Sequence, residues 1–226
     1  MGNRAVITTL HNYNNDGVGV YLHWNGGRDS VEAFLEYMKL KRYRTPDTDC
    51  YGWARLCQVI GNFFGGTTSI GIDTVNNLDI HNGDNGVYII NGWDIVGRLH
   101  FDGGVEQSEY EMDYMLKAID ESQPPDERLG SDFFDAEMVP TESLLVGDEV
   151  FVFGYDGKPQ KHTIIGYGDG SLINGYNLKG IPYTDMYAGF TGIFGANINN
   201  YLREKSYRLS KRAEILGIQS LLSERT

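Results

Sequence analysis

The chain has few cysteines, no long hydrophobic run and few positive charges, and each scarcity excludes a class of protein. Only two cysteines occur among 226 residues, so we expect buried, reduced thiols and exclude a small secreted domain held by disulfides. No stretch approaches the roughly 18 apolar residues of a membrane span, and Met1 to Arg4 lack the apolar region of a secretory signal. These absences predict a cytoplasmic protein with no membrane partner.

Positive charge is scarce because 19 Lys and Arg stand against 31 Asp and Glu, a formal net charge of −12. The excess is concentrated between Asp102 and Glu137, where 12 acids accompany only Lys117 and Arg128. Residues 199–226 have the opposite balance, with six Lys or Arg against three Glu. Direct binding to nucleic acid is therefore not expected, except by way of that C-terminal tail.

Secondary-structure signals predict an α+β protein. Residues 4–10 and 17–24 have the composition of a β-hairpin. Two capping boxes, Asp29 with Glu32 and Ser108 with Glu111, predict helix starts, and another helix is predicted over 49–64. Further strands are predicted over 68–72, 86–90 and 93–101. Because the order ββααβββα does not alternate strand with helix, we predict an antiparallel sheet with helices on one side.

The composition also predicts two regions joined by a linker. Residues 1–125 form the predicted α+β domain, and residues 126–137, which follow Pro124-Pro125, have the composition of an acidic linker. Residues 138–226 contain short strands separated by Asp-Gly and Asn-Gly turn pairs. They predict a small β-barrel-like region that ends in a helix over 198–222.

A glycine pair between a predicted strand and a predicted helix is the first candidate site. Such a loop directs free backbone N–H groups at whatever lies over the helix N-terminus, which is how proteins commonly bind anions. The alternative is a turn whose glycines permit positive φ and whose Asp29 caps the helix. The predicted ligand-binding residues are Asn25, Gly26, Gly27, Arg28, Asp29 and Ser30.

The hexapeptide Asn25–Ser30 resembles the S-G-G-x-D-S loop of ATP pyrophosphatases. The resemblance implies that backbone amides and the Ser30 hydroxyl bind the phosphates of ATP. It makes a nucleotide-dependent enzyme, with Arg28 countering phosphate charge, an alternative function for this chain.

The acidic stretch is the second candidate site. Carboxylates along a predicted helix over 108–121 and the linker after it imitate the phosphate spacing of DNA, and a basic groove on another protein recognises that pattern. The alternative is a solvated surface without a partner. The predicted partner-binding residues are Glu109, Glu111, Asp113, Asp120, Glu121, Asp126 and Glu127.

The sequence contains no recognisable catalytic set. Its five histidines are scattered, and no Ser or Cys stands in a nucleophile context. Asp79, His81 and Asp84 lie close together, but their surroundings have the composition of a flexible surface loop. We therefore predict no metal and no cofactor, and we favour a protein that is not an enzyme.

Residues 19–66, with Tyr21-Leu22-His23-Trp24-Asn25-Gly26-Gly27 and Tyr51-Gly52-Trp53-Ala54-Arg55, resemble uncharacterised accessory proteins of bacterial prophages and mobile elements. The resemblance implies a binding protein that inhibits a host defence component, such as a restriction or CRISPR system. It would act through its acidic surface or by sequestering an anionic nucleotide. A structural protein that forms a homo-oligomer through Leu202, Leu209 and Leu222 is a further alternative.

Overall fold

The computed structural model describes residues 2–47, 49–66, 69–106, 108–140, 143–144, 148–153, 158–167, 176–178 and 206–212. The chain divides into two compact units, Met1–Arg128 and Leu129–Thr226, and each is described by itself. In the described ranges, no helix is both long enough and apolar enough to cross a membrane.

Unit 1 contains a five-stranded sheet in the order β3-β2-β1-β4-β5. Strands β1 and β2 form the predicted hairpin, and the β2–β3 and β4–β5 pairs are also antiparallel. Strand β1 pairs with β4 in parallel, however, so the sheet is mixed and not antiparallel throughout. The α+β class is confirmed. The strands are β1 (Ala5–Thr9), β2 (Val18–Leu22), β3 (Ile70–Thr74), β4 (Val87–Asn91) and β5 (Asp94–Leu99).

Burial explains the parallel pair at the centre of the sheet. All five residues of β1 and the first four of β4 are buried. Strands covered on both faces have nearly continuous apolar sequences, as parallel strands usually do. The order of elements does not reveal this pairing, because two strands, three helices and a 3-10 turn separate β1 from β4 along the chain.

Three long helices of unit 1 pack on one another, and a short fourth helix lies elsewhere. Helix α1 lies on the sheet face of Val6, Val87 and Ile89, where its Tyr13 packs, so the prediction of helices on one side was wrong for this helix. The opposite face carries Ile7, Val20 and Tyr88, which are aligned across β2, β1 and β4. The helices are α1 (Leu10–Asn14), α2 (Arg28–Leu40), α3 (Cys50–Phe63) and α4 (Met112–Ser122).

The helix starts differ from the two predicted capping boxes. The N-cap of α2 is Gly27 and that of α4 is Glu111, and neither N-cap residue donates or accepts a side-chain capping bond. Asp29 and Glu32 lie inside α2, where Glu32 instead accepts a hydrogen bond from Arg28 at 2.7 Å. Helix α3 does begin at a capping side chain, because the Asp49 carboxylate accepts from the Tyr51 amide at 2.9 Å.

Unit 2 contains an antiparallel sheet in the order β6-β10-β7-β8-β9. Within the described residues this sheet is open, so no closed barrel is present there. The predicted helix over 198–222 is wrong at residues 206–211, which form β10, and apart from Arg212 its other residues lie outside the described ranges. The elements are α5 (Ser131–Asp135), β6 (Glu137–Pro140), β7 (Glu149–Phe153), β8 (Pro159–Tyr167), β9 (Tyr176–Leu178) and β10 (Ser206–Lys211).

The predicted linker contains regular structure. A 3-10 turn spans Pro125–Glu127 and belongs to unit 1, whereas α5 belongs to unit 2. Phe133 of α5 is 2% exposed and packs edge-on against Phe151 and Phe153 of β7. The segment that is acidic in composition therefore supplies an apolar anchor to unit 2.

Candidate functional site

Polar groups in the loop of the predicted anion site already form hydrogen bonds with other groups of the protein. The Gly26 amide donates to the Asn3 carbonyl at 2.8 Å, and the Ser30 amide donates to Asp29 Oδ1 at 2.6 Å. Gly26, Gly27 and Ser30 are buried, Asn25 and Asp29 are partly buried, and only Arg28 is exposed. The geometry does not support a preformed anion cradle at the glycine pair.

Gly26 is required by close packing. A Cβ at this position would lie 2.6 Å from the Asn3 carbonyl oxygen and 2.7 Å from the Ala5 nitrogen, inside van der Waals contact. Gly27 has φ −60° and ψ 154°, an extended conformation that any residue adopts. The positive φ in this loop belongs to Asn25, at 53°, and not to either glycine.

The resemblance to the ATP-pyrophosphatase loop is not continued by the surrounding fold. The Ser30 hydroxyl accepts a hydrogen bond from Asn25 Nδ2 at 3.3 Å and is 1% exposed, so it does not face a ligand. The strand before the loop, β2, is antiparallel to both of its neighbours. The Ser30 hydroxyl is therefore not exposed for the phosphate contact that the resemblance implies.

Asp29 brings the two predicted sites together. Its Oδ2 atom accepts hydrogen bonds from the backbone amides of Glu109 at 2.8 Å and Tyr110 at 3.1 Å. A carboxylate in the first turn of a helix is also favoured by the helix dipole. The start of α2 therefore holds the acidic segment, which we define as residues 102–114, by means of one side chain.

Arg98 forms a second anchor for the acidic segment. Its guanidinium, on a side chain 10% exposed, pairs with the Glu106 carboxylate. It also lies over the rings of Phe101 and Tyr88, with centroid distances of 3.6 and 4.6 Å. Burial raises the pKa of Tyr88, which remains neutral beneath this cation. Arg98 thereby fixes the segment from the sheet side.

Asn3, which precedes β1, completes a closed series of polar contacts around these anchors. Arg98 donates to the Asn85 carbonyl and to Asn85 Oδ1, both at 2.8 Å. Asn85 Nδ2 donates to Asn3 Oδ1 at 2.5 Å, and the Asn3 carbonyl accepts from Gly26. The series runs from the glycine loop through Asn3 and Asn85 to Arg98, the acidic segment and back to Asp29.

The anchored acidic segment presents both charge and apolar surface to solvent. Residues 102–114 contain five acids and no Lys or Arg. Glu109, Glu111 and Asp113 are exposed, and none forms an ion pair with another residue in the described part of the chain. Large apolar side chains are exposed beside them: Val105 (95%), Tyr110 (40%), Met112 (37%) and Tyr114 (65%).

Asp120 does not belong to this exposed surface, contrary to the prediction. It is 3% exposed and accepts a hydrogen bond from the Tyr37 hydroxyl at 2.8 Å. It lies on the inner face of α4 beside Leu116 and Ile119, which the acidic composition of this stretch conceals. Glu121 and Asp126 are exposed and Glu127 is partly buried.

The end of α4 is stabilised by buried polar contacts near Asp120. Burial, aided by the Asp120 carboxylate, raises the pKa of Tyr37 far above its ordinary value, so its hydroxyl remains a donor. The fully buried Lys41 side chain donates to the Glu127 carbonyl. Such groups stabilise a fold only when they are hydrogen-bonded. Their partners here indicate a structural role.

Asp79 and Asp84, which the sequence analysis considered as metal ligands, instead contact an arginine of the protein. Asp84 accepts from Arg4 at 2.7 Å, which lowers the pKa of that carboxyl, and Asp79 lies 3.6 Å from the same guanidinium. The described residues contain no group of three or more His, Cys, Asp or Glu that could hold a metal. In the loop that carries Asp79 and Asp84, buried Asn82 donates to the Gly86 carbonyl and accepts from the amides of Asp84 and Gly86.

Both cysteines are free, as the sequence predicts, but they are less buried than expected. Cys50 is exposed and Cys57 is partly buried. Burial raises the pKa of the Cys57 thiol to about 11, so this group is protonated at neutral pH. A thiol in that state is a poor nucleophile.

Sequence reasoning missed Asn3, Asn85 and Arg98, which connect the two predicted sites. The available signal was an arginine within a strand and an asparagine beside a glycine, and neither is specific. Comparison of the chain with protein-family models, curated proteins and solved structures gives no match. The candidate site is therefore interpreted from its own geometry.

Proposed function

We propose that this protein is a binding protein, not an enzyme, and that its acidic segment docks on a positively charged surface of another protein. The observation that carries the proposal is the combination of unpaired carboxylates with exposed aromatic and aliphatic side chains on an anchored backbone. Interfaces draw on aromatic side chains and methionine for affinity. Charge complementarity mainly raises the association rate and selects the partner.

The anchoring by Asp29 and Arg98 supports recognition by a preorganised surface. A segment that is already ordered loses less conformational entropy when it binds. The resemblance of residues 19–66 to accessory proteins of prophages and mobile elements suggests the class of partner. We propose a host defence protein whose nucleic-acid-binding groove accepts the carboxylates of Glu109, Glu111 and Asp113 in place of phosphates.

Affinity capture from a bacterial host lysate tests this proposal with matched baits. The first variant, Glu111→Gln with Asp113→Asn, removes two charges at the start of α4. The second, Glu121→Gln with Asp126→Asn, removes two charges about 15 Å away along and beyond the helix. We expect a basic protein to be retained by the natural chain and the second variant and lost from the first.

Retention of the same proteins by all three baits, or of none by the natural chain, would contradict the proposal. Repeating the capture at higher salt adds an independent criterion, because steering between opposite charges weakens as ionic strength rises.

A further inference from the structure

A groove beside the acidic segment combines an apolar floor with an acidic rim. It has a volume of about 290 Å³ and lies between α2, the start of β5 and the start of α4. Leu35 and Trp93 form its floor and are 1% and 4% exposed. Pockets for whole small molecules typically have about 300–1,000 Å³, so this groove suits a single side chain better than a cofactor.

The rim of the groove carries carboxylates that converge on a cation of the chain itself. Lys39 Nζ lies 2.5 Å from Asp94 Oδ1 and 3.2 Å from Glu36 Oε2. The Glu36 and Lys39 side chains are each 38% exposed and that of Asp94 is 69% exposed, so solvent reaches all three groups. With Glu32 included, three carboxylates and one ammonium line the groove. Glu32 also pairs with Arg28 at 2.7 Å, so the free negative charge of the groove is small until Lys39 is displaced.

From this geometry we infer that the groove binds an arginine side chain of the partner protein. The aliphatic part of an arginine fits against Leu35, Trp93 and Met112. Its planar guanidinium can bridge two carboxylates at once, whereas an ammonium acts as a point charge. Met112 lines the groove and also belongs to the acidic segment, so both surfaces are continuous. The inference rests on the proposed function and adds the residue type that anchors the partner.

The Lys39 ammonium occupies the position that an incoming guanidinium would take, and this gives the inference a specific test. An incoming guanidinium must compete with the Lys39 ammonium for Glu36 and Asp94. Removing that ammonium leaves the carboxylates available and increases the negative charge of the groove. We therefore expect Lys39→Met to bind arginine more tightly, although the substitution removes a polar group from the site.

Titration of the full-length ¹⁵N-labelled chain with N-acetyl-arginine methylamide tests the groove directly. N-acetyl-citrulline methylamide is the control, because it has the same shape without the charge. The chain has three tryptophans, so three indole N–H signals are expected, and Trp93→Phe identifies the signal from the groove. Trp24, which does not line the groove, serves as an internal reference.

We expect the Trp93 signal to move with arginine, and citrulline to bind about fivefold more weakly, the factor typical of one exposed ion pair. Lys39→Met should tighten arginine binding about two- to fivefold. Glu36→Gln with Asp94→Asn should reduce it to the citrulline level. Glu121→Gln with Asp126→Asn, which removes the same charge elsewhere, should leave it unchanged.

Equal responses to the two compounds, no response at Trp93, or unchanged affinity in Lys39→Met would overturn the inference. Its failure is distinguishable from failure of the proposed function. Partner capture that depends on Glu111 and Asp113 would persist if the groove alone were unused. Loss of both effects would reject the two proposals together.

Discussion

The two segments that the sequence marks as binding sites differ in how the fold uses their chemistry. In the Asn25–Ser30 loop, the glycine and the polar groups serve internal contacts: Gly26 packs on the first strand and Asp29 holds the acidic segment. In the acidic segment, Glu109, Glu111 and Asp113 face solvent. A local motif thus defines a backbone geometry, whereas the availability of a group for binding depends on whether another group of the fold already bonds it.

Asp120 tests this distinction most strongly, because it is one of the predicted partner-binding acids but has an internal hydrogen-bond partner. Asp120→Ala removes a buried acceptor and leaves the Tyr37 hydroxyl without that bond. We expect a loss of about 2–4 kcal/mol in the free energy of unfolding, measured by urea denaturation. The adjacent exposed acid provides the control, and Glu121→Ala should change stability by less than about 0.5 kcal/mol. Equal losses of stability from the two substitutions would show that the internal partner of Asp120 does not distinguish it from an exposed acid.

Gly26 and Gly27 test the interpretation of the glycine loop. A methyl group at Gly26 overlaps backbone atoms of Asn3 and Ala5, which cannot move as a flexible side chain can. We expect Gly26→Ala to cost about 1–3 kcal/mol of stability, measured by the same denaturation. Gly27→Ala should cost less than about 1 kcal/mol, because its dihedral angles do not require glycine. A larger effect at Gly27 would restore a special role for the pair.

The sequence predicts the elements of unit 1 well because local physics determines them. The hairpin follows from two β-branched runs, although residues 10–14 between them form α1, which the sequence did not predict. Helix α3 follows from the Asp49 cap and a regular apolar stripe. The parallel β1–β4 pair and the burial of Asp120 depend on contacts between distant residues, which composition does not encode. β10 illustrates the same limit, because Leu209 fits both a helical stripe and the alternation of a strand.

The candidate site was predictable as charge but not as geometry. The sequence identifies Glu109, Glu111 and Asp113 from the density of acids alone. It does not reveal that Asp29, 80 residues earlier, accepts the Glu109 amide. Asp29 was predicted as a helix cap or ligand contact, and its actual partners lie in the other predicted site.

Asp29 connects the two segments, so its removal should affect one through the other. Asp29→Ala leaves the amides of Glu109 and Tyr110 without their acceptor, and we expect a loss of about 1–2 kcal/mol of stability. Amide hydrogen exchange at these two residues should accelerate more than exchange in α3. Arg28→Ala is the control, because its pair with Glu32 is exposed and contributes little. Unchanged exchange at Glu109 and Tyr110 would mean that the segment is ordered without Asp29.

Asp84 extends the comparison to an acid outside both segments, with the smallest expected effect. The Arg4 guanidinium lowers the pKa of Asp84 below its ordinary value, which is about 3.9. The ionised form is therefore favoured in the folded state. Its contribution to stability is present above that ordinary value and is lost as the pH falls through the lower folded-state pKa.

Urea denaturation across acidic pH measures this contribution. We expect Asp84→Asn to be less stable than the natural chain by less than about 1 kcal/mol near neutral pH, with the difference narrowing below about pH 4. Asp79→Asn is the control, because Asp79 lies farther from the same guanidinium, at 3.6 Å, and is half exposed. A difference that widened on acidification would have the wrong sign for a carboxylate with an internal cation. Asp84 would then belong with the outward-facing acids of the acidic segment, and its contact with Arg4 would not stabilise the fold.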